Sequence, residues 1–385
     1  MTNQEPHMPT AVIAGYARTP FHFAKKGGLT QVRPDDLAAA AVRGLVERTG
    51  VTPQHIEDLI LGCSYPEAEQ GSNMARLVVF LAGLPIEVAG TTVNRFCGSS
   101  MTAVHIAAGQ IALGAGEVFV CAGVESMTRV PQGGFNHSPN PHLLETFAQA
   151  YISMGETAEN VAARWGISRL EQEELAVESH RKAAAAQELG RLNDEIVPVR
   201  TPEGWVSLDG CLRPATSLQG LAGLKTAFRA DGTVTAGTSS PLTDGAAAVL
   251  VCSDDYARRH GLTVLAKIRA TAVAGCAPDI MGMGPVPATR KALARAGLTV
   301  ADLDVVEINE AFSSQAIASL RELQIPREKI NLDGGGLSIG HPLGATGARI
   351  TGKAAALLKR EGGRFALATQ CIGGGQGIAT ILEAA

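Results

Sequence analysis

Residues 45–62, LVERTGVTPQHIEDLILG, and residues 292–309, ALARAGLTVADLDVVEIN, align without a gap at an offset of 247 residues. Gly50 meets Gly297, Thr52 meets Thr299, and Glu57 meets Asp304 where each stretch turns apolar. Self-similarity at a fixed spacing is the mark of a repeated structural unit, although helix-turn-strand units of similar composition would align in the same way. Outward from these stretches the order of elements repeats. Residues 35–48 and 99–113 read as helices rich in alanine and leucine, and 56–61 and 117–122 as short strands. After Ala266 the order returns, with a strand near 267–273, a helix over 288–295, a strand over 304–308 and a helix over 313–323. Strands alternating with helices imply α/β layering. A further parallel is drawn between Asn94, ahead of a Gly/Ser turn and a strand ending in Cys121-Ala122-Gly123, and Asn331, ahead of a glycine run and a strand ending in Cys371-Ile372-Gly373. The expected organisation is a first half over 1–126 and 243–264, a second half over 265–385, and an insertion over 127–242. The insertion contains a Pro/Gly/Asn-rich loop (131–141), a long polar helical stretch (156–189) and a turn-rich run to Gly237. Long insertions in α/β folds commonly cover active sites.

Composition narrows the function. With 385 residues, 45% hydrophobic and 18% charged, the chain has ample material for packed cores. A net charge of −4 supplies no basic field for nucleic acid or an anionic membrane. No apolar run reaches the roughly 18–20 residues of a membrane span, and MTNQEPHMPT lacks the basic and apolar regions of a secretory leader, so a cytoplasmic protein is expected. Asn136-His137-Ser138 would then be an unused glycosylation acceptor. Seven scattered cysteines with no CxxC pair disfavour a disulfide framework and a structural zinc. The 44 glycines concentrate in a few loops.

Four of those loops carry chemistry-bearing residues. Cys97, in VNRFCGSSMTAVHIAAG, follows a strand and starts a helix, where the dipole and free N–H groups favour a thiolate and stabilise an oxyanion. Equally, a cysteine there is a small buried hydrophobe. Cys371, in ATQCIGGGQGIA, ends a strand beside three glycines that leave backbone N–H groups open to a ligand or merely make a tight turn. His341 lies in GGGLSIGHPLGATGAR, which lacks the lysine of a phosphate loop and the acidic partner of a dinucleotide fingerprint. Asn309-Glu310-Ala311-Phe312 closes the strand at 304–308, and strand ends are where α/β sheets form sites. Two thiols, an imidazole and an amide, each at a strand end or helix start of a duplicated pair, suit covalent catalysis by a cysteine with a histidine partner.

The ordered set VNRFCGSS, GVESM (123–127), MGETAENVA (154–162), GTVTAGTSSPLTDGAAA (232–248), NEAF, GHPLGATGAR and CIGGGQG resembles the thiolase family over nearly the whole chain. The resemblance implies two duplicated α/β domains forming a five-layered α-β-α-β-α core with an inserted loop domain. It implies no permanently bound cofactor and no metal, with coenzyme A and acyl-CoA thioesters as substrates. Cys97 is then the nucleophile, His341 the acceptor of its proton, and Cys371 the acid/base acting on the α-carbon. Asn309 would hold a water that acts with His341 on the enolate oxygen, and the N–H groups of Cys97 and Gly373 would form a second oxyanion hole. Coenzyme A contacts fall on Arg213, Leu224, Phe228, Ala236 and Ser240, with Met154 and Met281 at the acyl end. Leu224 and Phe228 also read as plain core, and Arg213 as a surface arginine. Ser153 and Gly220 depart from a histidine and a serine of the short-chain biosynthetic members. The short 129–141 loop is similar to degradative 3-ketoacyl-CoA thiolases, the alternative being an acetyl-CoA acetyltransferase confined to four-carbon products. A ketoacyl-carrier-protein synthase would carry different partners around its cysteine, and a non-catalytic acyl-CoA-binding relative would have lost one of the three reactive residues. By the same resemblance the chain forms a homodimer or homotetramer and joins a hydratase/dehydrogenase subunit in a β-oxidation complex. The remaining cysteines (63, 121, 211, 252 and 276), His105 and His180 read as packing residues.

Overall fold

The computed structural model describes residues 9–385; the reading of the N-terminal segment falls largely outside them. The first half runs β1 (Ala11–Arg18), β2 (His22–Phe23), α1 (Pro34–Thr49), β3 (Asp58–Gly62), α2 (Met74–Leu81), β4 (Ala89–Val93), α3 (Ser99–Ala112) and β5 (Val118–Ser126). The chain then leaves the sheet through α4 (Pro141–Thr146), α5 (Met154–Arg164), α6 (Arg169–Glu188), the hairpin β6 (Val199–Thr201) and β7 (Gly204–Val206), and α7 (Leu218–Ala222). It returns as β8 (Thr243–Ser253) and α8 (Asp254–His260). The rest comprises β9 (Ala266–Gly275), α9 (Pro285–Ala296), β10 (Val305–Ile308), α10 (Ser313–Leu323), α11 (Gly336–Ile339), α12 (Leu343–Glu361), β11 (Phe365–Ile372) and β12 (Gln376–Glu383).

Local chemistry explains the alignment of 45–62 with 292–309. Pro34 and Pro285 occupy the first helical position of α1 and α9, where a missing N–H costs nothing. Gly50 and Gly297 end those helices in the left-handed conformation, at φ 66° and 70°, which only glycine adopts without strain. Each helix then delivers a buried strand, β3 or β10.

Strand order confirms the repeat. The first half pairs β4-β3-β5-β8-β1, with β3 parallel to β4 and β5 and the remaining neighbours antiparallel. The second pairs β10-β11-β12-β9 in the same orientations, and the counterpart of β4 shrinks to a parallel bridge between Val306 and Ile330. The two halves meet where β1 pairs β9 through Val12, Ile13, Ala266 and Lys267. The register carries the offset further. Asp58 pairs Phe119 and Val305 pairs Ala366, so the shift of 247 extends from β3/β10 to β5/β11. The counterpart of Cys371 is therefore Val124. The expected match of Cys121 to Cys371 is wrong, because β5 continues to Ser126 and Cys121 lies mid-strand. Composition at a strand end imitated a repeat that hydrogen bonding does not support.

Three cores separate five layers. Leu37 and Leu45 of α1 pack with Leu59, Val120 and Leu250 on the outer face of the first half. Met101 and Val104 of α3 and Ile350 of α12 fill the space between halves, against Ile60, Phe119, Val249, Ala366 and Ile378. Leu293 of α9 and Ile317 of α10 cover Val306, Leu367 and Ile381 on the far side. Successive residues of one strand face different cores, as Leu59 and Ile60 do. Burying each leucine or isoleucine stabilises the fold by about 1.5–3 kcal/mol. The middle layer is tight enough to demand glycine: a Cβ on Gly347 of α12 would lie 2.3 Å from the Met101 nitrogen of α3.

One element differs from expectation. The polar stretch 156–189 is two helices, because Gly166 turns left-handed at φ 61° and Ser168 restarts the chain with a capping box to Glu171.

Candidate active site

The loop between β4 and α3 is a network of short bonds. The Phe96 N–H donates to Asn94 Oδ1 (2.8 Å), the Arg95 N–H to Ser99 Oγ (2.9 Å), and Ser99 Oγ to the Phe96 carbonyl (2.6 Å). Phe96 adopts φ 42°, an uncommon conformation for a bulky residue and one that marks functional turns. Cys97 emerges two residues ahead of α3, nearly buried. The N–H groups of Cys97 and Gly373 both act on its sulfur and lower the thiol pKa. Burial is larger, with the Glu125 carboxylate adding to it, and the thiol rises to about 12. The resting group is therefore a neutral thiol, and the thiolate expected from the helix dipole does not form unaided. Gln370 Nε2 donates to the Cys97 carbonyl, tying this loop to the end of β11.

His341 occupies the matching place, two residues ahead of α12, and is buried. Its N–H donates to Thr243 Oγ1 (3.0 Å). Thr346 Oγ1 lies 2.6 Å from His341 Nδ1 and directs its own proton to the Pro342 carbonyl (3.2 Å), which assigns the ring hydrogen to Nδ1. Nε2 is left as the acceptor facing Asn309 Nδ2 at 3.3 Å. Desolvation, then the Arg349 guanidinium, depress the imidazole to about 3, so it stays neutral and able to receive a proton. Asn309 is held at the end of β10 by its N–H to the Thr369 carbonyl (3.0 Å).

Cys371, near the end of β11, packs with Met154, Ala158, Val234, Met281, Ala311 and Phe312. Burial pushes its thiol far up, and the next largest influence is the charge of Cys97, so the two sulfurs are electrostatic neighbours. The structure thus brings Asn309 to His341, and Gly373 and Cys371 to Cys97, with residues of both halves in each neighbourhood.

The insertion supplies an open face beside them. Leu224 and Phe228 are 37% and 42% exposed, which rules out plain core packing and leaves two large apolar side chains available to a ligand. Phe228 stacks edge-on against Phe312 (5.9 Å between centroids), linking that face to the Cys371 cluster. Ala236 is exposed, and Ser240 is held half-buried by its N–H to the Ala311 carbonyl (2.9 Å). Arg213 is exposed, with its guanidinium over the Phe23 ring (4.8 Å) and its N–H on His180 Nδ1 (3.2 Å). His180 therefore places Arg213, a job its helical position did not reveal. Ser153 is an N-cap, accepting the Glu156 N–H (3.4 Å), and Gly220 donates its N–H to the Ser217 cap (3.2 Å). Thr346, Gln370 and Glu125 were not singled out from the sequence; each lies inside or beside a quoted motif, but its partner is distant along the chain.

Known proteins sharpen this picture. Residues 11–255 match the family model described as Thiolase, N-terminal domain, and residues 262–384 match Thiolase, C-terminal domain. The chain belongs to the thiolase family. It is an acyltransferase of that family, and its fold is the family's. A 3-ketoacyl-CoA thiolase of Bacillus subtilis is 46% identical over 98% of this chain and 100% of its own length. One of a Marinomonas species is 48% identical over 97% of each. The crystal structure of human mitochondrial 3-ketoacyl-CoA thiolase in complex with CoA superposes with a TM-score of 0.90 at 36% identity, covering 98% of each chain. Among the described residues no helix is long and apolar enough to cross a membrane.

Proposed function

We propose that the chain is a 3-ketoacyl-CoA thiolase (acetyl-CoA C-acyltransferase), cleaving 3-ketoacyl-CoA with coenzyme A into acetyl-CoA and an acyl-CoA shorter by two carbons. What supports the reading is a Cys97 thiol on which the N–H groups of Cys97 and Gly373 act, with His341 Nε2 turned to Asn309 as an acceptor. A neutral thiol beside a neutral imidazole suits a nucleophile that loses its proton only as it attacks. The Cys97 sulfur bonds to the 3-keto carbon while its proton passes to His341 Nε2. The two N–H groups receive the oxyanion, an interaction worth about 10²- to 10³-fold per donor. As the tetrahedral centre collapses, the C2–C3 bond breaks. The electron pair enters the thioester enolate, whose oxygen faces His341 and a water on Asn309, and Cys371 gives C2 a proton. Incoming coenzyme A then yields its thiol proton to Cys371 and takes the acyl group from Cys97, whose released thiolate recovers its proton from His341.

Coenzyme A lies along Arg213, Leu224, Phe228, Ala236 and Ser240, and the acyl end reaches Met154 and Met281. Coenzyme A enters as substrate, and no further cofactor is required by these steps. The same reading assigns 1–126 with 243–264 to an N-terminal domain, 127–242 to a substrate-binding loop domain and 265–385 to a C-terminal domain. It also assigns the protein to β-oxidation in the cytoplasm. A homodimer or homotetramer is supported by the edge position of β4 and by exposed Leu77, Phe80, Leu81 and Ile86 nearby. A hydratase/dehydrogenase subunit is the natural partner for a β-oxidation complex.

The test is thiolysis with excess coenzyme A over 3-ketoacyl-CoA substrates of four to sixteen carbons, for the wild type and Cys97→Ser. Turnover of medium and long chains, lost in the variant, supports the reading. Turnover of acetoacetyl-CoA alone moves the protein to the acetyl-CoA acetyltransferases, and none at all leaves an acyl-CoA-binding protein.

A further inference from the structure

Glu125 is wholly buried and, among the described residues, pairs with no lysine or arginine. Its carboxylate accepts the N–H groups of Ser64 (2.9 Å), Tyr65 (3.3 Å) and Gly344 (2.9 Å), the Gln70 amide (2.8 Å) and the Cys63 thiol (3.7 Å). Burial raises the carboxyl above its usual range, and the hydrogen bonds oppose that rise; every partner donates, which favours the ionised, acceptor-only form. By the 247-residue register its counterpart on β11 is Ile372. Ile372 packs beside Gly98, ahead of α3, so closely that a Cβ on Gly98 would lie 2.5 Å from its Cδ1. Glu125 reaches the equivalent place ahead of α12. Hydrocarbon fills that space in one half without the cost of desolvating a charge, so the carboxylate serves for the bonds it makes.

Those bonds join the two reactive loops. Gly344 lies in the first turn of α12, three residues beyond His341. Ser64 holds the Cys97 loop, because its carbonyl accepts Asn94 Nδ2 (3.0 Å). A negative charge also complements the positive end of α12. We propose that Glu125 is a positioning residue: its carboxylate clamps the start of α12 to the end of β3 and so sets the approach of the His341 imidazole to the Cys97 thiol. The inference rests on the proposed roles of Cys97 and His341.

The experiment compares wild type, Glu125→Gln and Glu125→Asp as full chains. Thiolysis kcat and KM are normalised to Cys97 that iodoacetamide can alkylate, and the pH dependence of that alkylation is followed by mass spectrometry. Gln presents an amide to clustered donors and loses the charge, so kcat falls about 10- to 10²-fold, as misplacement of a reacting group by about 1 Å does, with KM changed little. Its Cys97 alkylates faster at each pH, because a negative charge that raises the thiol is gone. Asp keeps the charge but shortens the reach, so kcat falls while the alkylation profile stays in place. A Gln variant with normalised kcat within twofold of wild type overturns the proposal. So does a loss that vanishes on normalisation, since the carboxylate would then serve folding alone. If Gln does not fold, Asp decides by the same criteria. A wild type that turns over no 3-ketoacyl-CoA overturns the functional reading instead.

Discussion

The N-termini of α3 and α12 occupy the same place in the two halves, yet one presents a thiol and the other an imidazole. Cys97 and His341 each precede their helix by two residues. The first loop is short, leaves an edge strand and is partly exposed at Phe96; the second is long, glycine-rich and buried throughout 332–342, except for half-buried Leu332. Duplication supplied two helix starts aimed at one centre, and divergence of the loops gave them complementary chemistry. Their shared burial acts in opposite directions on the two groups. It raises an acid that becomes negative and depresses a base that becomes positive, so both rest neutral at physiological pH.

The largest effect expected from breaking this pairing is on Cys97, the proposed nucleophile. Cys97→Ser should lower thiolysis by about 10³-fold or more, with substrate binding by isothermal calorimetry retained, because an alcohol is a far poorer nucleophile and leaving group than a thiol. Removing the proposed base, His341→Ala, should cost about 10²- to 10⁴-fold in kcat, measured as the rate of acyl-enzyme formation in a single turnover.

A second comparison concerns packing at the two helix starts. A Cβ on Gly344 would meet the Val124 carbonyl oxygen at 2.7 Å and the Cys63 Cα at 2.8 Å, backbone atoms that cannot yield; a Cβ on Gly98 meets the movable end of Ile372. Gly344→Ala should therefore destabilise by about 3 kcal/mol and Gly98→Ala by about 1, read from denaturant midpoints. Equal losses would show that the two starts are packed alike after all.

The smallest effect concerns ionisation. With the Cys97 thiol near 12, alkylation should rise about tenfold per pH unit from roughly pH 6 to 9 and show no plateau near 8.5, where an exposed cysteine levels off. His341, neutral down to about 3, should add no step to that profile across the same range. A plateau near neutral pH would mean that the dipole of α3 outweighs burial.

Much of this was legible in the chain. The matched Gly50 and Gly297 and the alternation of helix with strand are local signals, because a backbone φ is set by the residue itself; the proline starts of α1 and α9 were passed over, and the second helix was begun three residues late. The strand-end and helix-start positions of Cys97, His341, Asn309 and Cys371 were legible because they lie inside glycine-rich motifs or, for Asn309, at the close of an apolar strand. The break within the helical stretch 156–189 was not read, since Gly166 and Ser168 are punctuation hidden in a composition that otherwise favours helix.

What the sequence by itself determined is the repeat, the α/β class and the identity of the groups available for chemistry, all of which depend on short-range geometry and ordered motifs. The register that pairs Cys371 with Val124 and Glu125 with Ile372 comes only from interstrand hydrogen bonds. The assigned ring hydrogen of His341, the Glu125 clamp and the neutral state of Cys97 likewise depend on partners far along the chain and on exclusion of water. Tertiary structure decided these, because desolvation and hydrogen bonding act through space.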